Sequence, residues 1–250
     1  MSPFHLHLSG TPGRPRILWL HGFLGDGSDG TALLAPLADR FEICAPDLPG
    51  HGNTPPAPRS ETLRHIAGLA AGCALAAGYS MGGRLLMMAA ARHPESTPPL
   101  LLESAHLGYA DPAERAARRA LDADRAATLR RIGLAAFLKE WYRLPLWATL
   151  PAPPERRGDP ETLAAALETF STGNQPDLRP WLRHCPRPVL WLAGGEDPAY
   201  KEQALWVAAR VPRATVRILP GCGHNLHLEQ PALWRECLLE FQSAPSQHEQ

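Results

Sequence analysis

The sequence lacks most of the features that mark secreted, membrane-spanning or metal-binding proteins. Its 250 residues include only five cysteines, which form no CxxC pair and no spacing typical of metal ligands. An odd, scattered set of this kind argues against a disulfide framework and fits a reducing compartment. No run of 18 consecutive apolar residues occurs, and the chain does not begin with a basic segment followed by an apolar run. We therefore expect a cytoplasmic protein with no membrane-spanning helix and no secretory signal.

The sequence also lacks an excess of charge of either sign. The 25 Lys and Arg residues balance the 25 Asp and Glu residues, so the formal net charge is zero. The chain as a whole therefore offers no electrostatic argument for binding nucleic acid or an anionic membrane, and we expect neither as a partner. No P-loop motif is present, so we expect no cofactor and no metal. A monomer that acts on a small molecule is the expectation that remains.

What the sequence does have is a regular alternation of short apolar runs and longer helical segments. This alternation predicts an α/β fold, with a mostly parallel sheet of about seven strands flanked by helices. The predicted strands are 4–8 (an edge strand, from its period-two pattern), 16–21, 41–46, 73–78, 100–103, 189–194 and 215–219. The predicted helices are 29–39, 60–71, 81–92, 200–210 and 231–242. In such sheets the functional residues gather at the carboxyl ends of the strands.

The stretch from residue 107 to residue 182 interrupts this rhythm and holds no strand-like run. Its helical segments are predicted at 112–131, 132–143 and 161–170. We therefore divide the chain as follows: a core of residues 1–106 and 183–242, a helical cap of residues 107–182 and a polar, frayed tail of residues 243–250. Basic residues outnumber acidic ones in the first half of the cap. They form either a solvated helix face or a group that faces an anionic ligand.

The central motif is GYSMG at residues 78–82, which follows one predicted strand and opens a predicted helix. A strand, a tight turn and a helix are the context that the GxSxG nucleophile elbow requires. Glycines flank the serine because a Cβ atom there would collide with the neighbouring strand or helix. Ser80 is therefore the candidate reactive residue, and the alternative is an ordinary glycine-rich turn.

A reactive serine needs a base, and the base needs an acid that orients it. In folds that carry a GxSxG nucleophile elbow, the chain order is serine, acid, histidine. His224 follows the last predicted strand and is the candidate base, with His227 as second choice. Asp197 follows the preceding strand and is the candidate acid, with Glu103 as the alternative. Glu196 is expected to point elsewhere.

Two backbone amides are candidates for an oxyanion hole, which holds negative charge that develops on an oxygen atom. In folds that carry a nucleophile elbow, one of these amides comes from the loop after an early strand, and the other belongs to the residue after the serine. The candidates are the amides of Phe23 and Met81. We expect His21 to pack within its loop and the DLPGHG turn at residues 47–52 to act as a scaffold.

These motifs together resemble the α/β-hydrolase superfamily over nearly the whole chain. Within it, they resemble the 2-succinyl-6-hydroxy-2,4-cyclohexadiene-1-carboxylate (SHCHC) synthases of menaquinone biosynthesis. The core motifs that carry the resemblance are LHGFLG at 20–25, DLPGHG at 47–52, GYSMGGR at 78–84 and GHNLHLEQP at 223–231. The cap motifs that carry it are RAAR at 115–118, EWY at 140–142, PLWA at 145–148 and QPDL at 175–178. The elbow alone indicates the superfamily, whereas the cap motifs and Arg84 indicate the narrower family.

The resemblance implies a lyase on a hydrolase fold. Members of this family remove a ring proton from 2-succinyl-5-enolpyruvyl-6-hydroxy-3-cyclohexene-1-carboxylate and expel pyruvate. The resemblance implies that Ser80 takes this proton and that His224 and Asp197 make the serine oxygen more basic. It also implies an anionic small-molecule partner, because this substrate carries three carboxylates, which guanidinium groups bind in a bidentate way. The implied substrate-binding residues are Arg84, Arg118, Tyr79 and Trp141.

Four points stay open. Arg115 and Arg119 compete with Arg118 for the role in the cap. The same triad would also serve a serine hydrolase, either an esterase or a carbon–carbon bond hydrolase. A ligand-binding relative without activity is a third hypothesis, which the intact Ser80, Asp197 and His224 disfavour. Two departures from the family, Pro198 after the acid and a missing first strand, leave the shape of the pocket open.

Overall fold

One seven-stranded sheet organises the computed structural model, which describes residues 3–244. The strands are Leu6–Gly10 (β1), Arg16–Leu20 (β2), Glu42–Pro46 (β3), Leu75–Tyr79 (β4), Leu100–Glu103 (β5), Val189–Gly194 (β6) and Ala214–Leu219 (β7). The helices are Gly27–Leu34 (α1), Arg59–Ala70 (α2), Met81–Arg92 (α3), Pro112–Trp141 (α4), Pro160–Thr169 (α5), Arg179–Arg183 (α6), Pro198–Arg210 (α7), Leu226–Glu229 (α8) and Pro231–Ser243 (α9). The predicted α/β fold is confirmed.

The strands follow the order β1-β3-β2-β4-β5-β6-β7 across the sheet. β1 pairs with β3 in the antiparallel direction, and every other neighbouring pair is parallel. The predicted edge strand is therefore present, but it begins at Leu6 rather than at residue 4. Phe4 precedes the strand and is buried in the core. The parallel strands place their carboxyl ends along one edge of the sheet, where the residues after β4, β6 and β7 meet.

Both faces of the sheet are buried, because successive residues of a strand point to opposite sides. Leu18 of β2 packs into the core that includes residues of α2 and α3, such as Leu63. Its neighbour Trp19 packs into the core that includes residues of α1 and α9, such as Trp234. Burial on both faces explains why the central strands read as continuous apolar runs rather than as alternating ones.

The chain leaves the sheet after β5 and returns to it at β6, with α4, α5 and α6 between them. The sequence predicted two helices meeting at residue 132, and α4 does consist of two helical segments that meet in a kink at Gly133, where φ is 74° and ψ is 167°. Glycine adopts this left-handed backbone more readily than other residues, so the chain turns there. Phe137 of α4 and Leu163 of α5 share a separate small core. The cap boundaries at residues 107 and 182 stay a prediction.

A GxGxxG spacing occurs at residues 25–30, between β2 and α1, where a nucleotide phosphate would bind in a Rossmann fold. Here protein carboxylates already take the N–H groups that a phosphate would need. The Gly27 N–H donates to Asp47 Oδ1 at 2.8 Å, and the Ser28 N–H donates to Asp26 Oδ1 at 2.8 Å. These carboxylates would also repel a phosphate, so the segment serves as a helix cap.

Helix α9 ends at Ser243, so the predicted polar tail of residues 243–250 lies almost entirely outside the described residues. In the part of the chain that the structure describes, no helix combines the length and apolar character needed to cross a bilayer. All five cysteines lie in that part, and each is buried and free.

Candidate active site

Ser80 lies at the turn between β4 and α3 and has a strained backbone. Its φ is 49° and its ψ is −108°, in a region that residues with a side chain rarely adopt. Two glycines make this turn possible. A Cβ atom on Gly82 would collide with the Leu20 carbonyl oxygen, and one on Gly78 would lie 2.7 Å from the Gly83 nitrogen. The strand–turn–helix context predicted for the GYSMG motif is therefore present.

Ser80, His224 and Asp197 form one hydrogen-bonded chain. The His224 Nε2 atom lies 3.1 Å from Ser80 Oγ, and its Nδ1 atom lies 2.8 Å from Asp197 Oδ2. Only 2% of His224 and 4% of Asp197 is exposed, so water does not compete strongly for these bonds. The three side chains come from the carboxyl ends of β4, β7 and β6, as the chain order predicted. This geometry can move a proton from a serine hydroxyl to an imidazole.

Asp197 is held in place by the helix that it precedes. It is the N-cap of α7, and its Oδ1 atom accepts a hydrogen bond from the Tyr200 N–H at 3.4 Å. Pro198 fills the first helical position, where a missing N–H has no consequence. The departure from the family pattern at Pro198 therefore leaves the carboxylate free to face His224. Glu196 is exposed and points away, as expected.

The two second choices, His227 and Glu103, also meet each other. The His227 Nδ1 atom lies 2.8 Å from Glu103 Oε1, and the Trp234 Nε1–H donates to Glu103 Oε2 at 2.8 Å. Both partners are buried, and neither lines the cavity that contains Ser80. They form a second histidine–carboxylate pair inside the core, with no contact to the serine hydroxyl.

The two residues whose amides are the oxyanion-hole candidates share the cavity of Ser80. Phe23 and Met81 both line its cavity, and Met81 is the first residue of α3. Neither backbone N–H donates to another residue within 3–244; for Met81 this is usual, because it is the first residue of a helix, whereas Phe23 lies in the turn before α1. His21 packs its loop, as expected: its Nε2 accepts from the Leu48 N–H at 2.8 Å. Burial lowers the pKa of His21, which keeps the ring neutral for this role.

Arg84 lies one helical turn after Ser80 and is buried rather than exposed. Its guanidinium donates to the Phe170 carbonyl at 2.9 Å and to Gln175 Oε1 at 3.2 Å. Both acceptors are neutral, so no carboxylate among the described residues compensates its charge directly. Burial, together with nearby Arg118, lowers the pKa of Arg84 to about 10, and the group stays charged at neutral pH.

Arg118 also faces the cavity, from the first half of α4. Its Nε–H donates to Asp122 Oδ2 at 2.8 Å, which leaves the two terminal nitrogens for a ligand. Burial disfavours its charge, but Asp122 outweighs this and raises the pKa of Arg118. Asp122 is fully buried and also accepts from the Ser171 hydroxyl at 2.8 Å. The competing Arg115 and Arg119 donate to backbone carbonyls and do not line the cavity.

Arg125 is a third guanidinium in the cavity, which the sequence analysis did not single out. It lies 5.3 Å from the centre of the Trp141 ring and 3.5 Å from Asp122 Oδ1. Burial and the nearby Arg118 lower the pKa of Arg125. The signal that could have found it is its spacing, because residues seven apart share a helix face.

Aromatic rings complete the wall around Ser80 and His224. Tyr79 and Trp141 both line the cavity, and the substrate-binding role that the resemblance implied for them stays a prediction. The Tyr79 hydroxyl is buried and has no hydrogen-bond partner within residues 3–244. Burial and Glu103 raise the pKa of Tyr79, so this hydroxyl remains a donor. Tyr200, which the sequence analysis missed, packs against His224, with the centres of the two rings 4.4 Å apart.

The cavity that these side chains enclose has a volume of about 320 Å³. Ser80 and His224 lie on the sheet side, and Arg118, Arg125 and Trp141 come from α4. Among the described residues that line it, three guanidinium groups face one carboxylate, that of Asp122. The site therefore combines a serine–histidine pair with an excess of positive charge.

Comparison with known proteins agrees with this description. A family model described as the alpha/beta hydrolase family matches residues 17–236. A 2-succinyl-6-hydroxy-2,4-cyclohexadiene-1-carboxylate synthase of Salmonella heidelberg is 33% identical over 243 residues, covering 90% of this chain and 93% of that protein. MenH from S. aureus has a similar structure, with a TM-score of 0.87 and 25% identity over 96% of this chain and 98% of that one. A thermophilic esterase from Thermogutta terrifontis shares the fold, with a TM-score of 0.76 and 23% identity over 96% and 94% of the two chains.

Proposed function

This chain belongs to the alpha/beta hydrolase family, and on that premise we propose that it is a lyase. The proposed substrate is 2-succinyl-5-enolpyruvyl-6-hydroxy-3-cyclohexene-1-carboxylate, and the products are pyruvate and SHCHC, a step of menaquinone biosynthesis. The names of the Salmonella and S. aureus relatives support this choice of reaction.

The observation that carries the proposal is the charge of the cavity. Arg84, Arg118 and Arg125 line the same space as Ser80, and Asp122 is the carboxylate that opposes them there. Three guanidinium groups near one another are unfavourable unless anions compensate them. A substrate with three carboxylates provides that compensation, whereas a neutral ester does not. Guanidinium groups also suit carboxylates geometrically, because two N–H groups can donate in parallel.

In the proposed reaction Ser80 acts as a base. His224 accepts the hydroxyl proton of Ser80, across the 3.1 Å that separates Nε2 from Oγ. Asp197 stabilises the positive charge that this transfer creates on the imidazole. The serine oxygen then removes a proton from the ring carbon next to the succinyl carbonyl. Proton transfer by a positioned group contributes about 10²- to 10⁴-fold to a rate.

The electrons of the broken C–H bond first form an enolate with the succinyl carbonyl. They then form a double bond to the neighbouring ring carbon, the ring double bond already present shifts by one position, and the C–O bond to the enolpyruvyl group breaks, so that its electrons leave with the enolate of pyruvate. Negative charge develops on the succinyl carbonyl oxygen before this bond breaks. The N–H groups of Phe23 and Met81 donate to no other residue in the described part of the chain and are proposed to bind this oxygen. Such a donor contributes about 3–4 kcal/mol. The ring proton stays on Ser80 as its new hydroxyl proton, and His224 can give the proton that it took from Ser80 to the leaving enolate, which becomes pyruvate.

A serine hydrolase is the second candidate. The hydrogen bonds between Ser80, His224 and Asp197 have the geometry that acyl transfer also uses. In that case Ser80 would attack a carbonyl carbon and form an acyl-enzyme. A hydrolase that acts on a neutral ester would have no use for the three cavity arginines, Arg84, Arg118 and Arg125.

The deciding experiment compares two reactions of the wild-type enzyme. One is pyruvate release from the enolpyruvyl substrate, made fresh by the enzyme that precedes it. The other is hydrolysis of a p-nitrophenyl ester under the same conditions. We expect pyruvate release far above the spontaneous rate and weak ester hydrolysis. Pyruvate release at the background rate with brisk ester hydrolysis would replace the lyase by a serine hydrolase.

We further propose that the enzyme acts as a cytoplasmic monomer on an anionic small molecule, without nucleic acid or membrane partners. The five free cysteines support a reducing compartment. Light scattering in line with chromatography tests the monomer, for which a mass near 27.2 kDa is expected. A mass of twice this value would contradict it.

A further inference from the structure

Two imidazoles and a carboxylate meet at the edge of the sheet. His5 precedes β1, His7 lies within it, and Asp47 directly follows β3. One donor atom from each residue lies within 4.8 Å of the others. His5 and His7 are two residues apart in extended chain, so their side chains share a face. Their ring centres lie 4.9 Å apart with the planes at 85°.

The backbone holds these three residues in position. β1 and β3 pair in the antiparallel direction, with Leu6 opposite Pro46. The Asp47 N–H donates to the His5 carbonyl at 2.9 Å, and the His5 N–H donates to Thr54 Oγ1 at 2.8 Å. The sheet pairing and these backbone hydrogen bonds therefore hold the three residues close to one another.

The side chains have the capacity for one more partner. His7 Nε2 lies 2.9 Å from Asp47 Oδ1. The carboxylate is buried and accepts from the backbone N–H groups of Gly27 and Asn53 at 2.8 Å each. A carboxylate has about four lone-pair positions, so these contacts do not fill it. The His5 imidazole is exposed and makes no hydrogen bond to another described residue, 3–244.

We propose that His5, His7 and Asp47 bind one divalent cation of the zinc class. Zinc binds imidazole nitrogen and carboxylate oxygen at about 2.0–2.2 Å, which places tetrahedral donors about 3.4 Å apart. The three donor atoms already lie within 4.8 Å of one another, and binding would require the His7 and Asp47 atoms, now 2.9 Å apart, to separate slightly and the exposed His5 ring to turn toward them. Two imidazoles and one carboxylate favour zinc over the hard cations magnesium and calcium, which prefer oxygen ligands. A water molecule would supply the fourth ligand.

This site is separate from the candidate active site, because none of its three residues lines the Ser80 cavity. A bound ion would fasten β1, the antiparallel edge strand, to β3. An ion that binds the folded chain and not the unfolded one stabilises the fold according to its concentration relative to Kd. The expected consequence is greater stability rather than a change in turnover.

The test uses the untagged full chain after dialysis against a chelator. Zinc chloride is titrated by calorimetry, and thermal unfolding is followed with and without zinc. We expect one zinc ion per chain and a Tm that rises with zinc concentration. Magnesium chloride at the same concentration should leave the Tm unchanged. No binding heat and no Tm shift with zinc at millimolar concentration would overturn the proposal.

Two variants locate the ion. His5→Gln removes an exposed ligand that makes no side-chain hydrogen bond to a described residue, so the fold should tolerate it. His184→Gln removes another exposed histidine and is the matched control. We expect His5→Gln to weaken zinc binding by about tenfold or more, and His184→Gln to bind as wild type does. Equal affinity of wild type and His5→Gln would place the ion elsewhere and refute the site.

Discussion

The loop that ends at His224 and the short helix α8 that carries His227 present the same chemistry in different surroundings. Each histidine uses Nδ1 to bind a buried carboxylate at 2.8 Å. The difference lies beyond the imidazole. His224 directs Nε2 to a serine hydroxyl in an open cavity, whereas the His227 ring packs edge-on against Trp19 and Tyr79 inside the core. A histidine–carboxylate pair therefore indicates a reactive site only when the second imidazole nitrogen faces a reactive group in a cavity, as it does in His224.

The carboxylates differ in the same way. Glu103 accepts from the His227 imidazole, from the His227 backbone N–H and from the Trp234 indole. These bonds tie α8 and α9 to the end of β5. Asp197 accepts from one imidazole and from one N–H at the start of α7. We infer that the Glu103 pair stabilises the fold and that the Asp197 pair orients a base.

Replacing the two histidines in turn should separate the pairs most strongly. His224→Asn removes the group that accepts the serine proton, and we expect pyruvate release to fall about 10³-fold. His227→Asn should change the rate per folded molecule by less than about threefold, although it lowers the free energy of unfolding. Initial rates and urea unfolding of both variants measure this. Equal loss of activity in the two variants would remove the distinction.

Replacing the two carboxylates should divide activity from stability. Asp197→Asn is expected to lower kcat about 10²- to 10⁴-fold, because the imidazole loses its orienting charge. Glu103→Gln is expected to lower the free energy of unfolding by about 2–3 kcal/mol and to leave kcat near the wild-type value. The measurements are kcat at saturating substrate and urea unfolding. A large fall of kcat in Glu103→Gln would give the core pair a part in catalysis.

Two neighbouring arginines extend the comparison to the cap. Arg118 faces the cavity, whereas Arg119 donates to the Gly173 carbonyl at 2.9 Å. Arg118→Gln should lower kcat/KM about tenfold to a hundredfold, because it removes a charged partner of a substrate carboxylate. Arg119→Gln is the matched control and should lower it less than threefold. Steady-state kinetics with the enolpyruvyl substrate decide between them, and similar losses would argue against the substrate-binding role of Arg118.

A third kind of buried histidine gives the smallest expected effect. Among the described residues no carboxylate bonds to His51, and burial together with His21 lowers its pKa to about 3. The unfolded chain takes up a proton at this residue below about pH 6.5, while the folded chain stays neutral down to about pH 3. Stability therefore falls as pH drops through this window, by about 2 kcal/mol at pH 5 from this residue. Urea unfolding at pH 7 and pH 5 measures the fall.

The control for this effect is His51→Gln. Its own stability is compared between the two pH values, so any general destabilisation cancels. The difference between pH 7 and pH 5 should be about 2 kcal/mol smaller than in the wild type. An unchanged difference would mean that the His51 ring is already protonated in the folded chain at pH 5.

Most of what the sequence could predict about the site, namely the residues Ser80, Asp197 and His224, came from the positions of the motifs after successive strands. Ser80, Asp197 and His224 each follow a strand, and parallel strands bring their carboxyl ends together. Chain order alone fits Glu103 as well; Asp197 was preferred because it follows the strand just before the one that leads to His224, and the structure pairs His224 with Asp197. Composition alone could not have made this choice, since both carboxylates follow apolar runs.

The cavity wall was less predictable, because it depends on how the cap helices rest on the sheet. Arg118 was chosen over its neighbours by resemblance, and only the orientation of α4 explains why Arg119 binds a backbone carbonyl instead. Arg125 was missed although it lies seven residues after Arg118. Tyr200 was missed because its approach to His224 depends on the N-cap at Asp197 that starts α7. These are tertiary contacts, which local pattern does not specify.

The most direct test of the account is pyruvate release by the Ser80→Ala variant beside the wild type, with the enolpyruvyl substrate. If Ser80 takes the ring proton, the variant should release pyruvate at least about 10³-fold more slowly while unfolding at a similar urea concentration. A folded Ser80→Ala variant that releases pyruvate at the wild-type rate would contradict the account, because the hydrogen-bonded chain through His224 and Asp197 would then have no reactive oxygen to serve.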